Sequence, residues 1–259
     1  MVTIRTLLSP LLFLLPLLGS GAAALEGGAT MIADQMLSRG TVAIQAVSPL
    51  YDGKARVSEC TGILVARDLV LTAAHCVDDA LKPEYVAVFF FEGAKAVAPL
   101  APVSAIIRHP QHVRGWAKKA GDIETRQREI STDLAILKLR SAAPADRPAF
   151  SAGSPQKPDA LILAAAGIAG PGGRSGTLKT AALSSIHHTT SGPKLAFATP
   201  GTGRVCTGDS GGPVITQSGA LWGIAGAILR AEDGCASRMV VVPVNSKTLD
   251  DLIRMARGG

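Results

Sequence analysis

Aromatic residues make up only 4% of this 259-residue chain, and its basic residues are scattered rather than clustered. Proteins that hold single-stranded nucleic acids usually combine stacked aromatic side chains with a basic groove. The formal net charge of +6 therefore predicts solubility rather than a nucleic-acid partner. Charged residues are also few, at 18% against 47% hydrophobic, and this balance excludes a disordered chain. The 28 glycines and 16 prolines show no repeat, which excludes a fibrous chain.

Long apolar runs are also missing, since none reaches the roughly 20 residues that a membrane-spanning helix needs. The longest covers residues 7–18 and contains Pro10 and Pro16; it follows a basic start with Arg5 and precedes small residues that end at Ala24. This arrangement is typical of a signal peptide. We therefore predict that residues 1–24 are a signal peptide and that the protein is exported, either secreted or periplasmic. The alternative is a membrane anchor, which the two prolines disfavour, so no stable membrane insertion is expected after cleavage.

Cysteine is rare, with four in the chain. An even number in an exported protein indicates disulfides, and four cysteines allow three pairings. Turn residues lie near the midpoint of residues 60–76 and of residues 206–235, so two hairpins would bring Cys60 opposite Cys76 and Cys206 opposite Cys235. No CxxC or CxxH spacing occurs, so a zinc site is not expected, and we predict no metal and no cofactor.

Short apolar runs, many of them rich in Val and Ile, recur along the chain with turn residues between them. This pattern predicts strands and an all-β sandwich or barrel, in a chain long enough for one large domain or two small ones. Residues 246–256 differ, because their apolar residues repeat with a helical period, with acidic residues early and arginines late. Residues 141–159 are predicted to link two β halves, and the polar residues 112–129 to form an exposed surface loop. The predicted strands cover residues 41–47, 62–72, 85–91, 97–107, 134–139, 161–166, 178–184, 195–199, 213–216, 221–228 and 239–244.

A glycine-rich stretch, GDSGGP at residues 208–213, is the strongest candidate for a site of chemistry. It fits the G-x-S-x-G pattern around the nucleophile of α/β-hydrolases, whose histidine follows the serine. The last histidine here is His188, so none follows Ser210, and this interpretation fails. An order of histidine, aspartate and then serine remains open. The subtilisin order requires an aspartate before His75; several are present, but the alternating strands do not suit that α/β fold.

Three motifs resemble those of the chymotrypsin/trypsin-like serine proteases. They are LTAAHC at residues 71–76, DLAILKL at residues 133–139 and CTGDSGGP at residues 206–213. They occur in the family's order, and the resemblance extends from about Leu25 to Ala256. It implies an all-β fold of two antiparallel six-stranded β-barrels with a C-terminal α-helix, and an active site in the cleft between the barrels. Both disulfides inferred above and the final helix are also features of the family.

The resemblance implies one peptidase domain after the signal peptide. Residues 25–142 would form the N-terminal β-barrel half with His75 and Asp133, and residues 143–259 the C-terminal half with Ser210 and the helix. The implied function is that of a secreted serine endopeptidase, a monomer, that acts on protein or peptide substrates and has a protein inhibitor as a second partner. The alternative is a catalytically inactive protease homologue that acts as a binding protein, which the presence of all three residues disfavours.

The resemblance also assigns roles to individual residues. His75 would take the proton of Ser210 and later donate it to the leaving group. Asp133 would fix the tautomer of the imidazole and stabilise its protonated form. The backbone N–H groups of Gly208 and Ser210 would form the oxyanion hole, where the loss of one donor costs about 10²–10³ in rate in other enzymes.

Other acidic and histidine residues have plainer interpretations. Asp122 is the rival for the aspartate role, but it lies in the polar insertion rather than at the start of a strand. His187 and His188 are adjacent on a predicted strand and point to opposite faces, so we expect an exposed pair rather than a metal site. His109 and His112 are expected to be loop residues.

Cleavage after Ala24 would leave Leu25 as the first residue, followed by Glu26 and two glycines. This start resembles the mature start of the family, although the family usually has an aliphatic residue where this chain has Glu26. The resemblance implies that the freed α-amino group pairs with Asp209 and shapes the oxyanion hole, so that signal removal itself activates the enzyme. The alternative is a further cut, for example after Arg39.

Primary specificity is expected to differ from that of trypsin. In trypsin-like enzymes the residue six before the serine lies at the base of the pocket, and here it is Arg204, a cation that would disfavour basic substrate residues and favour a carboxylate. Isoleucine in place of a pocket glycine should also favour small residues. We predict poor cleavage after Lys or Arg and a preference for acidic or small apolar residues; in the alternative, Arg204 turns outward or pairs with Glu232 or Asp233. The predicted substrate-binding residues are Arg204, Val205, Gly226, Ala227 and Ile228.

Overall fold

The computed structural model describes Leu25 and residues 35–50, 53–78, 82–114, 122–153, 160–167, 176–201, 203–229 and 233–258. The predicted signal peptide at residues 1–24 lies outside the described residues, as do Glu26 and Glu232. Within the described ranges, no helix has both the length and the apolar character needed to cross a membrane.

Among the described residues of the N-terminal half there are six strands: β1 (Thr41–Pro49), β2 (Ala55–Ala66), β3 (Leu69–Thr72), β4 (Val86–Glu92), β5 (Lys95–Arg108) and β6 (Ala135–Leu139). They close into an antiparallel barrel in the order β1-β2-β3-β6-β5-β4. Along β1, Val42, Ile44 and Ala46 are buried while the residues between them are partly exposed. This is the two-residue period of a strand with one face on the core.

The described part of the C-terminal half contains eight strands: β7 (Leu161–Ala165), β8 (Lys179–His188), β9 (Ala196–Pro200), β10 (Val205–Cys206), β11 (Pro213–Thr216), β12 (Leu221–Leu229), β13 (Cys235–Ala236) and β14 (Arg238–Pro243). Six of them close into a second antiparallel barrel in the order β11-β12-β14-β9-β8-β7, and β10 pairs with β13 in a separate ladder. The predicted fold class is therefore confirmed. The strands of the two barrels lie on either side of the predicted boundary between residues 142 and 143, which stays a prediction.

In the described ranges the barrels are accompanied by α1 (Gln35–Gly40), α2 (Ile123–Ser131) and α3 (Ser246–Ala256). The C-terminal helix α3 covers the predicted residues. Its first turn is capped by Asn245, whose side chain accepts a hydrogen bond from the N–H of Thr248 at 2.8 Å. Its buried face consists of Leu249, Leu252 and Ala256, as the helical period requires.

The prediction of an exposed loop over residues 112–129 is wrong in two places. Asp122 accepts a hydrogen bond from the N–H of Thr125 at 2.7 Å and caps α2, which buries Glu129 and Ile130. The side chain of His112, expected in a loop, is only 1% exposed. The sequence pattern failed here because the segment is polar, and its buried residues have partners far away along the chain.

Two clusters of buried apolar side chains fill the molecule. The larger cluster runs from the first barrel, with Leu71 and Ile136, to Leu252 of α3. The smaller cluster lies in the second barrel and includes Trp222 and Leu25, which is fully buried. Burial of one such leucine side chain contributes about 1.5–3 kcal/mol, so residue 25 is anchored to the second barrel.

Candidate active site

Strand pairing brings a histidine and an aspartate together. Strand β3 pairs with β6, with Thr72 opposite Ala135. His75 follows β3 in a 3-10 helix, and Asp133 lies two residues before the start of β6. His75 Nδ1 lies 2.6 Å from Asp133 Oδ2, and the backbone N–H of His75 donates to Asp133 Oδ1 at 2.8 Å. Asp133 is fully buried, whereas 31% of the His75 side chain is exposed. The imidazole is therefore held by the aspartate at Nδ1 and is partly accessible to solvent.

The aspartate also changes the basicity of the imidazole. Burial lowers the pKa of His75, but the charge of Asp133, its hydrogen bond and the charge of Asp78 raise it, and the net pKa is raised above the ordinary value. A neighbouring carboxylate stabilises the imidazolium in this way. Because Nδ1 is committed to Asp133, Nε2 is the nitrogen that can exchange a proton with a substrate or a nucleophile.

Ser210 stands in a tight loop between β10 and β11. The backbone is left-handed at Gly208 (φ 95°) and Gly211 (φ 78°), a conformation that glycine adopts without strain. The N–H of Gly212 donates to the carbonyl of Asp209 at 3.0 Å and closes the loop. Among the hydrogen bonds of the described residues, none is donated by the backbone N–H of Gly208 or of Ser210. Two unused N–H groups beside a serine are what an oxyanion-binding site requires.

The histidine and the serine loop line one cavity of about 480 Å³. The first barrel supplies His75 and the residues around Cys60, and the second supplies the serine loop and part of β12. The cavity therefore lies where the two barrels meet, and its volume suits a side chain together with adjoining backbone rather than a small ion.

Thr61 joins the serine loop to the first barrel, and no motif in the sequence indicated it. Its N–H donates to the carbonyl of Ser210 at 2.9 Å, and its Oγ1 donates to the carbonyl of Gly208 at 3.0 Å. The same Oγ1 accepts a hydrogen bond from the N–H of Ala166 at 3.0 Å. Thr61 is fully buried. Its partner Gly208 lies 147 residues along the chain, and this separation explains why a local pattern could not reveal the contact.

Asp209 lies beneath the serine loop and is fully buried. Its carboxylate accepts hydrogen bonds from the N–H groups of Cys206 at 2.7 Å and Gly167 at 2.9 Å. Burial raises the pKa of Asp209 to about 7, although both hydrogen bonds lower it. No basic side chain in the described ranges forms an ion pair with this carboxylate. A cation placed beside this carboxylate would therefore stabilise its ionised form.

Both predicted disulfides are present at the margins of the cavity. Cys60 is bonded to Cys76, which follows His75, and Cys206 is bonded to Cys235 across β10 and β13. The ligand atoms of Cys60, His75 and Cys76 lie within 4.8 Å of one another. The two sulfurs are bonded to each other, however, and so cannot act as thiolate ligands of a metal.

The predicted specificity residues occupy different environments. Gly226, Ala227 and Ile228 line the cavity. Val205 is buried in the core of the second barrel and Arg204 is half-buried; neither is among the described residues that line the cavity. The role of Arg204 at the base of a pocket stays a prediction.

The rival candidates lie away from this cavity. Asp122 is exposed and caps α2. His187 and His188 are exposed on β8, where the ring of His188 makes an edge contact with Trp222 at a centroid distance of 5.8 Å. His109 is half-buried. His112 is the exception, because it lies close to Asp133.

Two closed antiparallel barrels with a histidine, an aspartate and a glycine-flanked serine at their junction define the chymotrypsin-like class of fold. A protein-family model described as Trypsin matches residues 39–251. The chain belongs to the trypsin family.

Solved structures share this fold at low sequence identity. One is the scabies mite inactivated protease paralogue S-I1, with a TM-score of 0.64 and 20% identity, covering 88% of this chain and 99% of that one. Another is HL collagenase, with a TM-score of 0.64 and 16% identity, covering 91% of this chain and 99% of that one. No curated protein matches the chain at a significant level.

Proposed function

We propose that this chain is an exported serine endopeptidase in which Ser210, His75 and Asp133 act together. The observation that supports this most strongly is the hydrogen bond between Asp133 and His75, together with the position of the His75 imidazole in the same cavity as Ser210. The unused N–H groups of Gly208 and Ser210 beside it supply the donors for a developing negative charge. A base, an orienting carboxylate, a nucleophile and two oxyanion donors are the groups that acyl transfer needs.

In the first half of the proposed reaction, Ser210 Oγ attacks the carbonyl carbon of the scissile peptide. Its proton passes to His75 Nε2, and the carbonyl oxygen becomes an oxyanion that the N–H groups of Gly208 and Ser210 stabilise. Asp133 stabilises the imidazolium through Nδ1–H. The tetrahedral intermediate then expels the amine, which takes the proton from His75, and Ser210 is left as an ester.

In the second half, water replaces the amine. His75 removes a proton from the water as its oxygen attacks the ester carbon, and the same oxyanion donors are used again. Collapse of this intermediate releases the carboxylic acid, and His75 returns the proton to Ser210. The expected partners are therefore a protein or peptide substrate and a protein inhibitor that occupies the same cavity, and we propose a monomer.

The proposed maturation is cleavage of the signal peptide after Ala24. Two observations support it: Leu25 is fully buried in the core of the second barrel, and Asp209 is a buried carboxylate with a raised pKa and only N–H partners among the described residues. A freed α-amino group at Leu25 would supply the missing cation. A cut after Arg39 would instead remove Leu25 from the core. N-terminal sequencing of active protein tests this, and a start at Gly40 would contradict it.

The proposed specificity is poor cleavage after Lys or Arg and a preference for acidic or small apolar residues before the scissile bond. Ala227 and Ile228 line the cavity, whereas Arg204 is not among its described lining residues, and this favours small apolar residues over acidic ones. Chromogenic peptides ending in Arg, Glu, Ala and Phe test the proposal. Fast hydrolysis after Arg would overturn it, and a preference for Glu that disappears in Arg204→Ala would restore the acidic interpretation.

A fluorophosphonate probe tests the catalytic proposal itself, because an activated serine attacks its phosphorus and displaces fluoride. We expect labelling of the wild-type protein and none of Ser210→Ala. The matched control is Ser218→Ala, an exposed turn serine hydrogen-bonded to Thr216 Oγ1, which should be labelled like the wild type. Folded wild-type protein that is neither labelled nor able to cleave a peptide library would favour the inactive binding homologue.

A further inference from the structure

A second histidine lies behind the proposed catalytic aspartate. His112 Nε2 is 2.8 Å from Asp78 Oδ1, and His112 Nδ1 is 4.0 Å from Asp133 Oδ1. His75 Nδ1 contacts the other oxygen of the same carboxylate, Oδ2. The His112 side chain is 1% exposed, and no described group forms a hydrogen bond with its Nδ1. The reaction proposed above gives this buried imidazole no role.

Backbone hydrogen bonds hold the turn that carries His112 against the aspartate. The N–H of His109 donates to the carbonyl of Leu134 at 2.8 Å, and the N–H of His112 donates to the carbonyl of His109 at 2.9 Å. The turn is therefore attached to Leu134, the residue that follows the aspartate, and this keeps His112 beside Asp133.

Two carboxylates face the two nitrogens of the ring. Asp78 is buried, and Arg108 Nε lies 3.6 Å from its Oδ1. Arg114 donates a hydrogen bond to the backbone carbonyl of Asp78, and burial together with the charge of His112 lowers the pKa of His109. Among the residues that the structure describes, these contacts place Asp78, Asp133, Arg108, Arg114 and His109 around His112.

The proton positions follow from the acceptors. An ionised carboxylate only accepts hydrogen bonds, so His112 Nε2 carries the proton that Asp78 accepts. Only a ring with a proton on Nδ1 as well can donate to both carboxylates. An approach of about 1 Å then converts the contact with Asp133 Oδ1 into a hydrogen bond of about 3 Å.

We infer that His112 is a positioning residue of the proposed catalytic site, which donates to Asp78 and Asp133 and holds the Asp133 carboxylate in the orientation that accepts the Nδ1–H of His75. The inference rests on the proposed function. A bond from His112 withdraws negative charge from Asp133, so its loss raises the pKa of His75 further. A carboxylate that is no longer held lowers kcat but leaves substrate binding, and therefore KM, nearly unchanged.

Three substitutions distinguish the contributions of the two ring nitrogens of His112. In His112→Asn the side-chain amide lies near the position of Nδ1, so it can donate to Asp133 but is too short for Asp78. In His112→Gln the amide lies near the position of Nε2, so it can donate to Asp78 and leaves nothing beside Asp133. His112→Leu removes both donors.

The measurements are kcat and KM on a chromogenic peptide, thermal unfolding, and the pKa of His75 from NMR titration of its imidazole. His112→Leu and His112→Gln should lower kcat by about 10- to 100-fold and raise the pKa of His75, with KM changed by less than about twofold. His112→Asn should keep kcat and the His75 pKa near the wild-type values despite a lower unfolding temperature. A purely structural role predicts the opposite order, because Gln would then be the better substitute.

The outcomes distinguish this inference from the proposed function. Unchanged kcat and unchanged His75 pKa in folded His112→Leu would overturn the inference and leave the proposed function intact. If His112→Leu does not fold, equal kcat in the Asn and Gln variants overturns it. If folded wild-type protein shows neither turnover nor fluorophosphonate labelling, the proposed function fails. In that case a raised His75 pKa in His112→Gln still supports the contact between His112 and Asp133, and an unchanged His75 pKa overturns the contact.

Discussion

Asp133 lies against the first barrel and Asp209 beneath the serine loop of the second, and neither side chain reaches solvent. Asp133 has the imidazole of His75 at 2.6 Å, whereas the described partners of Asp209 are two backbone N–H groups. The first carboxylate raises the pKa of its histidine, and the second has its own pKa raised to about 7. A buried carboxylate therefore raises the pKa of a neighbouring group that can carry a positive charge. Where the neighbours are uncharged N–H groups, burial raises the pKa of the carboxylate itself.

The two regions also differ in how they are assembled. The pair of Asp133 and His75 is brought together by the register of β3 and β6, two strands of one barrel. The loop above Asp209 needs Thr61 from the other barrel and, in the proposed mature protein, the α-amino group of Leu25. The aspartate–histidine pair should therefore form with the first barrel alone, while the serine loop should be sensitive to contacts from several parts of the chain.

The largest expected effect comes from neutralising the carboxylate of the first region. In Asp133→Asn the amide no longer fixes the Nδ1–H tautomer of His75, and a fall in kcat of about 10⁴-fold is expected. The matched control is Asp122→Asn, because Asp122 is exposed and asparagine caps a helix as well as aspartate does; its kcat should stay at the wild-type value. Steady-state hydrolysis of a chromogenic peptide measures both. A similar loss in the two variants would mean that Asp133 has no special role.

The buried carboxylate of the second region, Asp209, should make the free energy of unfolding depend on pH. With a folded pKa of about 7 and an unfolded value near 3.9, Asp209 holds a proton in the folded chain that the unfolded chain releases between about pH 4 and 7. The free energy of unfolding therefore falls as pH rises through this interval, by about 4 kcal/mol. An α-amino cation on Leu25 would remove most of this loss.

Two chains that differ by one residue test this prediction. A chain that begins at Leu25 should keep its stability from pH 4 to 7, whereas one that begins at Ala24 should lose it, and Asp209→Asn should abolish the difference. Urea unfolding at several pH values gives the free energies, and other titrating groups cancel in the comparison. Identical pH profiles for the two starts would contradict the proposed pairing.

Local patterns in the sequence predicted one region better than the other. Short apolar runs predicted β6 and, within one predicted strand over residues 62–72, β3. The family motifs placed His75 and Asp133 next to these strands, so the first region could be anticipated. The helical period predicted α3 with the bounds that it has. By contrast, α2 was missed because residues 123–131 lack a continuous apolar stripe, and β10 and β13 were missed because each has only two residues.

The remaining contacts depend on closure of the barrels, which no local pattern encodes. Thr61 meets the serine loop only because the second barrel packs against the first. His112 was expected to be exposed because its neighbours along the chain are polar, yet Asp78 and Asp133 bury it from other segments. Polar residues whose partners lie tens of residues away give no periodic signal.

Substitution of a glycine in the serine loop should lower the free energy of unfolding by an intermediate amount. A Cβ on Gly211 would lie 2.2 Å from Thr72 Oγ1 and 2.3 Å from the carbonyl oxygen of Thr61, so Gly211→Ala must push the loop away from the first barrel. We expect a loss of about 3 kcal/mol in the free energy of unfolding, together with loss of activity. Gly219→Ala is the matched control, because Gly219 has a similar positive φ of 84° but nothing within 4 Å of the added Cβ; it should cost about 1 kcal/mol. Equal losses in urea unfolding would mean that backbone strain, and not the contact between barrels, sets the cost.

The smallest effect is expected from the hydroxyl that joins the two regions. Thr61→Val keeps the shape of the side chain but leaves the carbonyl of Gly208 and the N–H of Ala166 without their partner Oγ1. Two unsatisfied buried groups should cost about 2 kcal/mol. Because the carbonyl of Gly208 is then no longer held, the oxyanion donors beside it should lose their alignment, and kcat should fall by about tenfold.

Thr41→Val is the control that separates stability from catalysis. Thr41 is also fully buried, and its Oγ1 donates to the carbonyl of Leu37 at 2.7 Å, but that bond lies at the end of α1. Its loss removes one buried hydrogen bond and should cost about 1 kcal/mol with no change in kcat. Unfolding free energies and kcat, measured on both variants at the same pH, decide the question. If kcat in Thr61→Val equals that in Thr41→Val, the Thr61 hydroxyl contributes to stability but does not align the proposed oxyanion donors.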